Sequence, residues 1–437
     1  VNSYANYKSS GVEWLGNIPT HWDLVSFKHY IYFQEGPGIM AYDFENVGIP
    51  LIRISGVKGK YVTLEGCNYL LPEKVDIAWK QFRLEENDLL ISCSASTGMV
   101  SRVFKEAIGA IPYTGLIRLK PLASNITIDF IEWLTQSDLY NEQINLLKTG
   151  ATMQHYGPAH LKQIKITLPP VNEQKTIAQF LDERTAHIDT LIAKKQRLLD
   201  LLAEKRSALI TQAVSKGLDP NVPLKPSGIA WLGDIPQHWE VKKFKFIVKN
   251  NFKYGANEAA ESEDRDCPRF IRITDVNEDG TLKEDTFKSL PYEIAEPYLL
   301  EENDILLARS GATVGKTFKY NSSWGVSAFA GYLIRARLLK EVNSDFVFYF
   351  LRSKAYWEWV NSSFIQATIQ NLSAEKYAGL VLTSPTVIEQ SEIVEFLDQK
   401  LQKLDAVTTS LLAAIDKLKE YRTALIAAAV TGKIKVA

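Results

Sequence analysis

The chain is one unit of roughly 218 residues written twice. Residues 10–28 read SGVEWLGNIPTHWDLVSFK, and residues 227–245 read SGIAWLGDIPQHWEVKKFK, with 11 of 19 positions identical at an offset of 217. Further matches follow at offsets of 216–219. Leu84-Glu85-Glu86-Asn87-Asp88 returns as Leu300-Glu301-Glu302-Asn303-Asp304, and Ile52-Arg53-Ile54 as Ile271-Arg272-Ile273. Phe180-Leu181-Asp182 returns as Phe396-Leu397-Asp398, and Ala208-Leu209-Ile210 as Ala424-Leu425-Ile426. The period is too long for a solenoid. Two like units in one chain suit a pseudo-twofold molecule and a target that itself has two halves.

Each unit opens as a mixed α/β region. Pro50–Val57, Asp88–Cys93 and Leu116–Leu119 read as strands, as do Phe270–Val276, Ile305–Ala308 and Tyr332–Arg335. Helical stretches follow over Asp129–Leu147 and Ser344–Asn361. Pro169-Pro170 and Ser384-Pro385 then precede two long runs without Gly or Pro, about 172–216 and 386–431. Thr386 with Glu389 fits a capping box, Asn172 is a cap for the first run, and Gly217 and Gly432 are stop signals. These points divide the chain into a first domain (1–171), a helix (172–217), a linker (218–226), a second domain (227–385) and a second helix (386–433).

The apolar spacing in the helices is a coiled-coil seam of period 3.5. In the first, Ile188, Leu191, Lys195, Leu198, Leu202, Lys205 and Leu209 fall in register. In the second, Leu404, Val407, Leu411, Ala414, Leu418, Tyr421 and Leu425 do so. Two amphipathic helices, each packed on its own domain, are the plainer reading. The sharper one is that the helices pair antiparallel, as two like units related by a twofold require. Ile188 to Leu209 would span about 32 Å at ~1.5 Å per residue, close to one turn of B-DNA. The expected fold is therefore α+β, with two tandem mixed domains, each followed by a long helix, the two helices forming an antiparallel coiled coil.

Composition narrows the function. The charged fraction is 23% and the hydrophobic fraction 46%, as in an ordinary globular protein. No run of about 18 apolar residues points to a membrane span, and the first residues hold no apolar signal core, so the expected location is cytoplasmic. The 3 cysteines and 6 histidines show no metal spacing. A net charge of −1 argues against a uniformly basic binder but allows a local basic face.

Gly150-Ala151-Thr152-Met153-Gln154, then Leu161, Ile164, Ile166, Leu168-Pro169-Pro170, Glu173-Gln174, Ile177 and Phe180-Leu181-Asp182 look like the border between a target-recognition domain and its spacer helix. Ala367-Thr368-Ile369-Gln370, then Leu380, Leu382, Pro385, Glu389-Gln390, Ile393 and Phe396-Leu397-Asp398 repeat it, with Ser384 in place of Pro169. In this order, and with the WLG-x-IP-x-HW opening of each unit, the chain resembles the specificity subunit of type I restriction–modification enzymes along nearly its whole length. The resemblance implies a non-catalytic subunit reading a bipartite, asymmetric DNA target. It also implies two DNA adenine methyltransferase subunits and restriction (translocase–nuclease) subunits as partners. S-adenosylmethionine, ATP and Mg would be used by those partners and not bound by this chain. The sequence agrees on catalysis: its one Pro-Pro lacks the flanks of an Asn/Asp-Pro-Pro-aromatic methyltransferase motif.

Candidate DNA contacts follow from residue type and place. Arg53 and Arg272, each flanked by isoleucines, would point away from them in an alternating strand, toward solvent, phosphate or guanine. Lys58 lies nearby. Ser94, Thr97, Arg309, Thr313 and Lys316 occupy matching loops rich in small residues. The run Ser310–Thr317 resembles a P-loop but has three residues between Gly311 and Gly315 where a phosphate cradle needs four. A turn after a strand, or a DNA-facing loop, is favoured over nucleotide binding. Gln154 and Gln370 could read adenine, but both units keep the glutamine, which favours a structural role. Specificity residues should lie where the copies diverge, as over Tyr32–Glu45 and Asn250–Arg269; the second is acidic, which weighs against a DNA contact. His21, His238 and their neighbouring tryptophans are expected to pack each domain on its helix base, with a binding surface for the methyltransferase as the alternative. A coiled-coil scaffold that never touches DNA is the rival function.

Overall fold

A computed structural model of the chain describes residues 3–93, 99–147, 156–259, 261–277, 280–311, 313–364 and 371–436. The chain divides into two compact units, Val1–Gln196 with Ala413–Ala437, and Arg197–Leu412. Both are built to one plan.

In the first unit a four-stranded antiparallel sheet runs in the order Ile31–Glu35, Leu116–Pro121, Leu89–Ser92, Val100–Arg102. Leu89–Ser92 is buried on both faces, so its run of apolar residues does not alternate. Beside it, Ile49–Ile52 pairs antiparallel with Asn68–Leu70 and parallel with Ile111–Pro112. A separate ribbon joins Asp23–Ser26 to Lys165–Leu168. The second unit repeats the sheet as Lys253–Tyr254, Leu333–Ala336, Ile305–Ala308, Thr317–Lys319. It repeats the parallel pair as Arg269–Ile271 with Ser327–Phe329, and the ribbon as Glu240–Lys243 with Val381–Ser384.

Several elements are shorter than their apolar patterns suggest. The strand expected over Pro50–Val57 stops at Ile52, and a 3-10 turn takes Ile54–Gly56. Gly56 packs so close to Thr63 that an added Cβ would lie 2.4 Å from its carbonyl oxygen. The strand expected over Phe270–Val276 likewise ends at Ile271. Each helical stretch is two helices, Ile128–Gln136 and Asp138–Leu147, then Ser344–Phe350 and Lys354–Ser362. The break in the second falls where the Ser353 hydroxyl accepts from the amide of Tyr356, a side-chain cap that starts a new helix.

The first long helix spans Val171–Lys216 and the second Val387–Val430. The Thr386–Glu389 capping box is formed: the Glu389 amide donates to Thr386 Oγ1 at 3.3 Å, and the Thr386 amide donates to the Glu389 carboxylate at 3.1 Å. Asn172 is already inside its helix, so it is not the cap; the turn closes instead from the Gln174 amide to the Pro170 carbonyl at 3.0 Å. Gly217 (φ +75°) and Gly432 (φ +71°) take the left-handed conformation that ends a helix.

In the first unit, the start of the first long helix and the end of the second leave the same domain base together. Ile177, Leu181, Ile188 and Ile192 share one apolar cluster with Leu418, Leu425, Ile426 and Val430. The two segments run in opposite chain directions, with Asp189 paired to Arg422 at 3.0 Å. The second unit reverses the roles: Leu209, Ile210 and Val214 pack with Ile393, Leu397, Leu401 and Leu404, and Arg206 pairs with Asp405.

The period of 3.5 is present, but its second position lies one residue later than expected. Inward residues in the first helix are Leu181, Thr185, Ile188, Ile192, Lys195, Leu199, Leu202, Arg206 and Leu209. In the second they are Leu397, Leu401, Leu404, Thr408, Leu411, Ile415, Leu418, Arg422 and Leu425. Leu191, Leu198 and Val407, placed on the seam by spacing alone, are 47%, 42% and 46% exposed. The phase is set where each helix starts, by Ile177 and Leu181 or Ile393 and Leu397 buried against a domain. Among the described residues no helix is long and apolar enough to cross a membrane.

Candidate nucleic-acid interface

Each mixed α/β domain is mounted on its helix by a Glu-Gln pair. Glu173 accepts from the Trp22 indole at 3.0 Å and the Tyr4 hydroxyl at 2.9 Å, and meets His21 Nε2 at 2.6 Å. Glu389 accepts from the Trp239 indole at 3.1 Å and meets His238 Nε2 at 2.6 Å. Burial pushes the Glu389 carboxyl up, but the hydrogen bonds from His238, Trp239 and Thr386 outweigh it and bring it down to about 2. Glu173 is lowered for the same reasons, with Tyr4 in place of the threonine. Gln174 is fully buried; its amide group donates to the carbonyls of Pro169 and Asn125, both at 2.8 Å, and accepts from the Thr127 amide at 2.8 Å. Gln390 donates to Pro385 at 3.0 Å and accepts from the Asn343 amide at 3.1 Å. Both residues stand in the sequence pattern, but their clamping role shows only when the partners from other elements are seen.

The opposite helix end is held just as firmly. Thr167 Oγ1 donates to the Val430 carbonyl at 2.5 Å, and Thr383 Oγ1 donates to the Val214 carbonyl at 2.6 Å. Each threonine fills an acceptor that a helix C-terminus leaves open.

The Leu-Glu-Glu-Asn-Asp repeat is also structural. Asn87 and Asn303 take φ +68°, and the buried Asp88 and Asp304 close the turn by accepting from the Glu85 and Glu301 amides at 2.7 and 2.8 Å. Asp88 pairs with the buried Arg118 at 2.7 Å, and Asp304 with Arg337 at 2.7 Å.

The described candidate DNA contacts differ in their surroundings. Arg53 follows the strand Ile49–Ile52 and stacks on Tyr113, its Cζ 3.8 Å from the ring centre. Arg272 is not on a solvated strand face: it donates to Asp275 at 2.9 and 2.8 Å and to the Thr286 carbonyl at 2.8 Å. Lys58 is exposed and paired with Glu65 at 2.9 Å. Arg309 stacks on Tyr254 at 4.8 Å. Thr313 and Lys316 sit in the turn from Ile305–Ala308 to Thr317–Lys319, where Gly311 (φ +79°) and Gly315 (φ +83°) reverse the chain. A strand follows that turn, not the helix N-terminus that a P-loop requires. Both residues line a cleft of about 530 Å³ with Lys283, Arg352, Phe348 and Trp357. Ser94, Thr97, Gln154 and Gln370 lie outside the described residues. Among the described residues no cluster of His, Cys, Asp or Glu is arranged to hold a metal.

Comparison with known proteins adds a family. The model of the type I restriction modification DNA specificity domain matches residues 41–200 and again 236–417. The StySPI specificity subunit of Salmonella potsdam is 25% identical over 399 residues, covering 88% of this chain and 82% of that protein. The EcoKI specificity subunit of Escherichia coli K12 is 25% identical over 412 residues with the same coverage. Among solved structures, a chain from a study of complex assembly and conformational transition of the type I R-M system superposes with a TM-score of 0.72 at 15% identity. That match covers 95% of this chain and 99% of the other. The HsdS subunit from Thermoanaerobacter tengcongensis gives 0.51 at 15% identity, covering 95% and 98%.

Proposed function

This chain belongs to the type I restriction modification DNA specificity family, and from that premise we propose how its two units divide the work. It is a DNA sequence-specificity subunit that acts in a complex with methyltransferase and restriction subunits. Each unit reads one half of a bipartite target, and the paired helices set the unread gap. Side chains on loops and strand ends enter the major groove, while Lys and Arg on phosphates hold the register. Two adenine methyltransferase subunits dock on the chain, take the target base out of the stack and use S-adenosylmethionine. The restriction subunits use ATP and Mg. This chain itself performs no bond chemistry, and it works in the cytoplasm beside the DNA.

The observation that carries this reading is the contrast between the two units. Their mountings are alike, residue for residue: Glu173 and Glu389, Gln174 and Gln390, Thr167 and Thr383. The residues that follow matching strands are not: Arg53 is stacked where Arg272 is ion-paired. Like mountings bearing unlike residue settings suit a reader of two different half-sites.

Genome-wide mapping of methylated adenines with and without this chain tests the proposal. An asymmetric two-part motif should vanish with the gene. Exchanging residues 1–170 with those of a relative should change one half of the motif only. A reconstituted complex with no sequence preference would leave the scaffold reading standing.

A further inference from the structure

Arg53 and Arg309 share an arrangement. Each guanidinium lies on a tyrosine ring, with no carboxylate partner among the described residues. Each has a buried N–H without an acceptor among those residues, Nη1 of Arg53 and Nε of Arg309. Those two atoms are closed off from solvent and anchor nothing, while each residue as a whole is only half-buried, so the remaining nitrogens of each guanidinium are the ones that can meet a ligand. Around each, the backbone is fixed. The Tyr113 amide donates to Ile52 at 3.0 Å, next to Arg53. The Arg309 amide donates to Tyr332 at 3.0 Å, and Tyr254 Oη accepts from the Ala374 amide at 3.0 Å. These arginines are held by their faces, which leaves the donor edges to turn toward a ligand.

The two sites are not equivalent under the repeat. Ala330 takes the place of Tyr113, since its amide donates to Ile271 at 3.0 Å as that of Tyr113 does to Ile52. Arg272 takes the place of Arg53, but Asp275 stands where the first unit has Gly56, and its carboxylate occupies that guanidinium. Conversely, Cys93 takes the place of Arg309: its amide donates to Gly115 at 2.9 Å as that of Arg309 does to Tyr332. Burial and the nearby Glu35 push the Cys93 thiol up to about 12, so nothing there donates like an arginine. Each unit thus presents a stacked arginine where its counterpart has none.

We propose that Arg53 and Arg309 each read a guanine, one in each half of the target, by donating to O6 and N7 in the major groove. The proposal rests on the reading of the chain as a DNA specificity subunit. The guanidinium fork matches that pair of acceptors, whereas a phosphate needs only charge. Because the arginines occupy different places in their units, the guanine should fall at a different position in each half-site.

The test uses the full chain reconstituted with its methyltransferase partner and a library of randomised duplexes, read by bound sequences and by adenine methylation. In Arg53→Ala the preference for one G·C pair should fall roughly 5- to 150-fold, in the half assigned to the first unit by exchange of residues 1–170. The other half should be unchanged, and Arg309→Ala should give the mirror result. Arg53→Lys and Arg309→Lys keep the charge and should still lose the preference, which covers the case of an alanine variant that fails to fold. A uniform loss across all sequences with a shallower salt dependence would show a phosphate contact and overturn the proposal. So would an unchanged preference, or one lost in the wrong half. A wild-type complex without any preference would instead sink the functional reading beneath it.

Discussion

The Thr383 hydroxyl donates to the Val214 carbonyl at 2.6 Å, tying a strand of the second recognition region to the last turn of a helix that began in the first unit. Thr383 is 4% exposed, so no solvent replaces it. Thr383→Val keeps the shape and removes the donor. The variant should lose about 1–3 kcal/mol in urea unfolding, the cost of a buried acceptor left empty. A loss of only a few tenths would make the contact incidental.

Glu389 gives a pH signature. Its carboxyl lies at about 2 when folded, against an ordinary value of 4.5. The depressed group stabilises the fold fully above the unfolded value and loses that contribution as pH falls from about 4.5 toward 2. Acid should therefore narrow the stability gap between the native chain and Glu389→Gln. Unfolding midpoints of both, taken between pH 6 and about 3, check this; a constant gap would contradict it.

The helix register can be tested by truncation. Ile415 is 4% exposed, whereas Val407 is 46% exposed. Ile415→Ala should cost about 2–5 kcal/mol. Val407→Ala should stay within about 0.5 kcal/mol. Equal losses in thermal or urea unfolding would restore the register that spacing alone suggested.

The Asp88–Arg118 pair is buried on both sides, at 3% exposure each. Arg118→Met leaves the carboxylate buried and uncompensated, with an expected loss of about 3–5 kcal/mol. The double variant Asp88→Asn, Arg118→Met should recover part of it, and a double-variant cycle measures the coupling. Additive losses would mean that the pair does not act as a pair.

The repeat, the long helices and the capping box at Thr386 were legible because they rest on local rules of spacing and end chemistry. The phase of the helix pairing was not. Leu191 stands beside Ile192 and Leu198 beside Leu199, equally apolar neighbours between which spacing cannot choose; the domain-packed turns at Ile177 and Leu181 rotate Ile192 and Leu199 inward. Arg53 and Arg272 read identically as Ile-Arg-Ile, and what separates them is a carboxylate at position 275 where the first unit has a glycine, at position 56. That difference becomes visible only when the turn after each strand is folded.

The first unit takes in residues 413–437. Ile426, Ala429 and Val430 fill the same cluster as Trp22 and Phe27. During synthesis the first unit must therefore wait, its apolar base uncovered, while all of the second unit is made. The second unit, contiguous along the chain, can close earlier. Such long-range closure slows folding and lengthens the window in which sticky surface is exposed. Of the two units, the one whose translation starts earlier is the one whose assembly finishes later.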